Sequence, residues 1–91
     1  MSVQVKVPTI LRSYTGGQKS VAASGTTVEE VFTDLDTQHP GLRQRLVADD
    51  GGLHRFVNIY INDEDVRFLG ALQAPINEGD TVTILPAVAG G

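Results

Sequence analysis

No cysteine occurs anywhere in the chain. That removes disulfides, thiolate metal sites and a cysteine nucleophile from consideration, and it fits a reducing compartment. Positive charge is also scarce: seven Lys and Arg against eleven Asp and Glu leave a net charge of −4. Nucleic-acid binding needs basic patches to meet phosphates, so this balance argues against it. It is compatible with a partner that carries a basic docking surface, and equally with plain solubility. Long apolar runs are missing as well. None approaches the ~20 residues that span a bilayer, and no signal-peptide hydrophobic region follows Met1. The expectation is a cytoplasmic protein.

What is present suffices for one small domain. The chain has 91 residues, and a domain of that size buries roughly 60–65% of the surface its unfolded chain exposes. Hydrophobic residues make up 41%, too many for intrinsic disorder. Val3, Val5 and Val7 alternate with polar residues, the period of a half-buried strand that Pro8 limits. Thr15-Gly16-Gly17 supplies turn chemistry, and Gln18 to Ala23 reads as a second strand with Val21 inward, making a hairpin. Gly16-Gly17 lacks the strand-to-helix setting and the lysine of a phosphate-binding loop. Phe56 to Ile61 is the strongest strand signal. Asn62 to Asp65 turns the chain toward a short edge strand at Val66-Arg67-Phe68. It lacks the glycine and terminal glutamate of an EF-hand loop. Gly70 to Pro75 is read as an irregular connection, and Asn77-Glu78-Gly79-Asp80 as the turn into a last strand.

Between these strands, Val28, Val31, Phe32 and Leu35 fall at i, i+3, i+4 and i+7 and predict one amphipathic helix. Thr27 and Glu30 have capping-box spacing at its start, and Pro40 stops it beyond His39. Leu42 to Leu46 reads as a short helical turn. Glu29, Glu30, Asp34 and Asp36 occupy the other helix faces. Solvated acids keep ordinary pKa values, so they are read as a polar face rather than a catalytic pair. His39 and His54 lack metal-ligand spacing. His39 is read as a helix C-terminal residue beside free carbonyls.

The last strand, Asp80 to Leu85, should point Val82 and Ile84 inward and Thr81, Thr83 and Leu85 outward. Leu85 with Tyr60 and Phe56 is a candidate patch for a partner. Beyond Pro86 come Ala87-Val88-Ala89-Gly90-Gly91, with no charge and no bulky group. Glycine has no Cβ and lets main chain enter a narrow channel. The tail therefore suits a terminus that is modified inside another protein's active site. A frayed end is the plainer alternative.

The order strand, strand, helix, strand, short strand, strand describes a mixed sheet of four to five strands with one main helix across one face, an α+β fold. Together with the ending Val82-Thr83-Ile84-Leu85-Pro86-Ala87-Val88-Ala89-Gly90-Gly91, it resembles the β-grasp, ubiquitin-like sulfur carriers of the ThiS/MoaD family. Pro8 to Arg12, Thr15 to Ser20, Leu53 to Tyr60 and Asn62 to Phe68 resemble its CysO-type branch most closely. The resemblance implies a β-grasp domain over 1–86 and a flexible tail over 87–91. It implies a non-catalytic carrier that binds no cofactor or metal. An E1-like activating enzyme of the MoeB/ThiF type would use ATP to adenylate Gly91, and sulfur would convert it to a thiocarboxylate. Gly90, Ala89, Val88 and Ala87 would be the recognised tail. In that branch the further partners would be a PLP-dependent cysteine synthase acting on O-phosphoserine and a Mec/JAMM-type zinc metallopeptidase. Sulfur donation to thiazole, molybdopterin or thiosugar synthesis, and ubiquitin-like modification of proteins, remain the rival roles. An interaction domain with an inert tail is another, and an intrinsic enzyme has no visible nucleophile constellation.

Overall fold

A computed structural model describes residues 2–86; the tail residues 87–91, on which the expected chemistry falls, lie outside the described residues. Five strands form one mixed sheet: β1 (Ser2–Lys6), β2 (Ser20–Ser24), β3 (Val57–Ile61), β4 (Glu64–Asp65) and β5 (Thr81–Pro86), in the order β2-β1-β5-β3-β4. β1 pairs antiparallel with β2 and parallel with β5, while β3 pairs antiparallel with β5 and β4. The last strand is thus central, with a neighbour on each side.

The alternation in β1 is realised as read, with Val3 and Val5 buried and Ser2, Gln4 and Lys6 exposed. β1 and β2 pair as expected, but a 3-10 helix over Thr9–Tyr14 stands between them and drops Leu11 into the core. Helix α1 (Val28–Gln38) lies on one face of the sheet, with Val28, Val31, Phe32 and Leu35 all fully buried. They meet Val3, Val5, Val21, Ile59, Val82 and Ile84 in a single core. A second helix, α2 (Leu42–Leu46), adds Leu42 and Leu46 to it.

At the start of α1, the Thr27 hydroxyl accepts a hydrogen bond from the Glu30 N–H at 3.2 Å. The return half of the box is displaced by one residue: the Glu30 carboxylate accepts from the Thr26 N–H and hydroxyl, each at 2.8 Å. Those two bonds, the backbone one foremost, hold the Glu30 carboxyl below its ordinary range. Gly25 makes room for this turn. A Cβ there would stand 2.8 Å from the Val31 nitrogen and from the Glu30 Cβ.

The edge strand differs from the sequence reading. Glu64 and Asp65 pair with Ile61 and Tyr60, and Val66–Phe68 is a 3-10 turn. The turn is confined to Asn62-Asp63, because Asn62 takes a left-handed φ of 57° that asparagine tolerates better than most residues. The Asp65 carboxylate then accepts from the Arg67 N–H and starts the 3-10 turn instead of continuing the ladder. Gly70–Pro75 also contains a 3-10 turn, at Ala71–Gln73.

Candidate functional site

The feature that the fold delivers is the end of β5. Val82 and Ile84 anchor it in the core, while Thr83 and Leu85 face outward, and Leu85 is 44% exposed. Its start is clamped by Asn62, whose N–H donates to the Thr81 carbonyl and whose side-chain oxygen accepts from the Thr81 N–H. On one side β5 is paired with β1 as far as Thr83 opposite Lys6. On the other its pairing with β3 reaches Pro86 opposite Val57. Proline has no N–H to carry a ladder onward. Arg67 braces the same place, donating from one guanidinium nitrogen to the Val57 carbonyl at 3.1 Å and from another to the Asn58 side chain at 2.9 Å.

Two shallow concavities flank Leu85. One, about 340 Å³, has Val7, Pro8 and Ile84 in its wall and Lys6, Arg12 and Lys19 around it. The other, about 330 Å³, holds Tyr60, Asn62 and Asp63. The structure therefore brings Leu85 and Tyr60 to one hollow. Phe56 it places elsewhere: the residue sits in the turn before β3, 54% exposed, its ring 5.0 Å from that of His54. Phe56 shares a third hollow with Ile10, Arg45 and Val57. Ile10, 62% exposed, is a surface apolar residue that the sequence reading passes over, because its 3-10 setting follows neither strand nor α-helical period. Phe68, 86% exposed, was missed because the expected edge strand misplaced it.

The other candidates have structural duties. Glu29 pairs with Arg43. Asp34 accepts from the Ser24 N–H at 2.9 Å and ties β2 to α1. Asp36 accepts from the Gly41 and Arg43 N–H groups and so caps α2. These helix acids are fixed in the scaffold, more engaged than the solvated face inferred from spacing. The His39 N–H closes α1 on the Leu35 carbonyl, and His54 Nδ1 accepts from the Phe56 N–H at 3.3 Å. Among the described residues, no three His, Asp or Glu side chains gather where they would hold a metal. No helix among them is long and apolar enough to cross a membrane.

Comparison with known proteins agrees with this architecture. The family model described as "ThiS family" matches residues 5–91. The sulfur carrier protein CysO of Mycobacterium tuberculosis is 60% identical, with all of both chains covered. Its crystal structure superposes with a TM-score of 0.92 over 94% of this chain and 99% of that one. A CysO chain in an Amycolatopsis orientalis BexX/CysO complex is 58% identical, with a TM-score of 0.91 over 98% of this chain and 99% of that one. Small archaeal modifier protein 3 of Haloferax volcanii is 35% identical over 82% of this chain and 84% of its own.

Proposed function

The chain belongs to the ThiS family, and from that premise we propose that it is a sulfur carrier whose own C-terminal residue, Gly91, is the reactive group. The carboxylate of Gly91 attacks the α-phosphorus of ATP in an E1-like activating enzyme, and pyrophosphate leaves. Hydrosulfide then adds to the acyl carbon, and AMP and a proton depart to leave a thiocarboxylate. A free carboxylate is a poor electrophile until one oxygen becomes part of a phosphate leaving group, which is why activation comes first. The observation that carries the reading is the central, doubly paired β5, which ends at Pro86 directly before Ala87-Val88-Ala89-Gly90-Gly91. A rigid strand gives the partner a fixed handle, and two glycines admit the terminus to a narrow site.

The chain itself is non-catalytic in this account, and ATP is the partner's substrate. The acceptor is a PLP-dependent cysteine synthase, with a Mec/JAMM-type metallopeptidase releasing the product. The 60% identity to CysO over the whole chain supports this acceptor over thiazole or molybdopterin synthesis, and the BexX/CysO complex supports a carrier that docks on a partner protein. Protein modification is the second reading, favoured by the likeness to the Haloferax modifier.

Incubation with ATP, sulfide and the activating enzyme should replace one oxygen of Gly91 by sulfur in the intact-protein mass. Deletion of Gly91, or Gly90→Val, should prevent this with the fold unchanged by circular dichroism. Equal modification of both variants would refute the assignment.

A further inference from the structure

We infer that the basic groove beside Leu85 is where an acidic lip of the activating enzyme docks. This rests on the reading of Gly91 above and adds the chemistry of its partner's surface. The groove joins β1, the end of β5 and the start of β2. Its wall is apolar at Val7, Pro8 and Ile84, and its charges are Lys6, Arg12 and Lys19, with no acid among the lining residues. That is three of the seven cations of a chain whose net charge is −4.

Four of the eleven acids lie at the other end of β5. Asp80 and Glu78 precede the strand, and Asp63 and Glu64 sit at the β3–β4 turn beside it. The strand thus runs from an acidic end to a basic one. Global charge suggests a basic partner, but the local field at the exit of the tail has the opposite sign. Local complementarity governs docking and encounter.

Reach fixes where that partner must sit. Five residues follow Pro86, and fully extended they span at most about 17 Å. An enzyme whose active site holds Gly91 must therefore press against this end of the domain. Leu85 forms a wall of the groove and is separated from the tail only by Pro86. The partner that fits is a protein surface with Asp or Glu side chains around one projecting apolar residue. Arg12 already donates from Nε to the Val7 carbonyl at 3.1 Å, so its guanidinium is held in place. Lys6 and Lys19 are exposed and form no ion pair among the described residues.

The test uses the full chain with Lys6→Glu and Lys19→Glu combined, leaving Arg12 intact. Two quantities are read across a series of salt concentrations: the Kd for the activating enzyme without ATP, and KM and kcat for thiocarboxylate formation. The expected result is a Kd and KM raised roughly tenfold or more at low salt, with kcat unchanged and the salt dependence flattened. Lys6→Arg with Lys19→Arg should behave as the parent does, and Glu78→Lys at the far end of β5 should leave Kd unchanged. A thermal melt matching the parent's shows that the glutamate variant is folded. Parental Kd and salt dependence in the glutamate variant would overturn the assignment. The binding arm separates the two claims. Salt-sensitive binding lost in the variant, with no sulfur gained even by the parent, would support the groove and refute the Gly91 reading. Sulfur gained alike by parent and variant at equal Kd would refute the groove alone.

Discussion

Single residues in this chain fall into those that shape the scaffold and those that stay exposed on it. Gly25 belongs to the first group. Its backbone lies so close to α1 that a Cβ would meet the Val31 nitrogen at 2.8 Å, and backbone cannot move aside as a side-chain tip can. Gly25→Ala should cost about 1–3 kcal/mol in urea unfolding, the usual range for overpacking. Glu30 offers a pH signature. Its pKa is lowered in the folded state by the Thr26 N–H and hydroxyl, so folding favours the ionised form. The contribution is fully present above the carboxyl's unfolded pKa and is lost as pH falls through the lower folded value. Glu30→Gln should therefore be less stable than the parent at neutral pH, with the gap closing in acid. A gap that is constant with pH would contradict the assigned bonds.

Among the elements, α1 and β5 carry the architecture. Phe32 is fully buried at the centre of the α1 stripe, so Phe32→Ala should cost about 3–5 kcal/mol by denaturant titration. A loss under about 1 kcal/mol would mean that the helix is not packed as described. These two elements were also the most legible in the sequence. Four apolar residues at helical spacing have one face to bury, and Val82 and Ile84 alternate with threonines as a half-buried strand must. The edge was less legible for a physical reason. Val66-Arg67-Phe68 is apolar enough for a strand, but Asn62 can close a two-residue turn at positive φ, which moves the pairing to Glu64-Asp65. Side-chain bonds of Asp34 and Asp36 to distant backbone join residues seven to ten positions apart or reach another element, and no periodicity announces them. The grouping of Phe56 with Tyr60 and Leu85 assumed that strand alternation begins at Phe56. β3 begins one residue later, and Phe56 turns toward His54.

At the scale of the whole molecule, the proposed function makes the domain a handle that points one end of a central strand at a partner. Lys6, Arg12 and Lys19 line a groove at the exit of β5 while Glu78, Asp80, Asp63 and Glu64 lie at its start, a polarity that would orient the proposed partner before contact. The basic groove was not legible in the composition. Lys6, Arg12 and Lys19 are dispersed in sequence and meet only because β1 lies between β2 and β5. If Gly91 is the reactive group, a short peptide added beyond it should abolish function in a host that depends on the chain, while leaving the melting temperature unchanged. Full rescue by an extended form shown to remain uncleaved would argue for a role of the domain without its terminus. The most direct measurement is tandem mass spectrometry of the C-terminal peptide from protein purified from its native cell. The account predicts a fraction of molecules in which one oxygen of Gly91 is replaced by sulfur, or in which Gly91 carries a cysteine adduct. A terminal peptide found only as the free carboxylate or as an isopeptide on target lysines, under conditions of active sulfur assimilation, would contradict it.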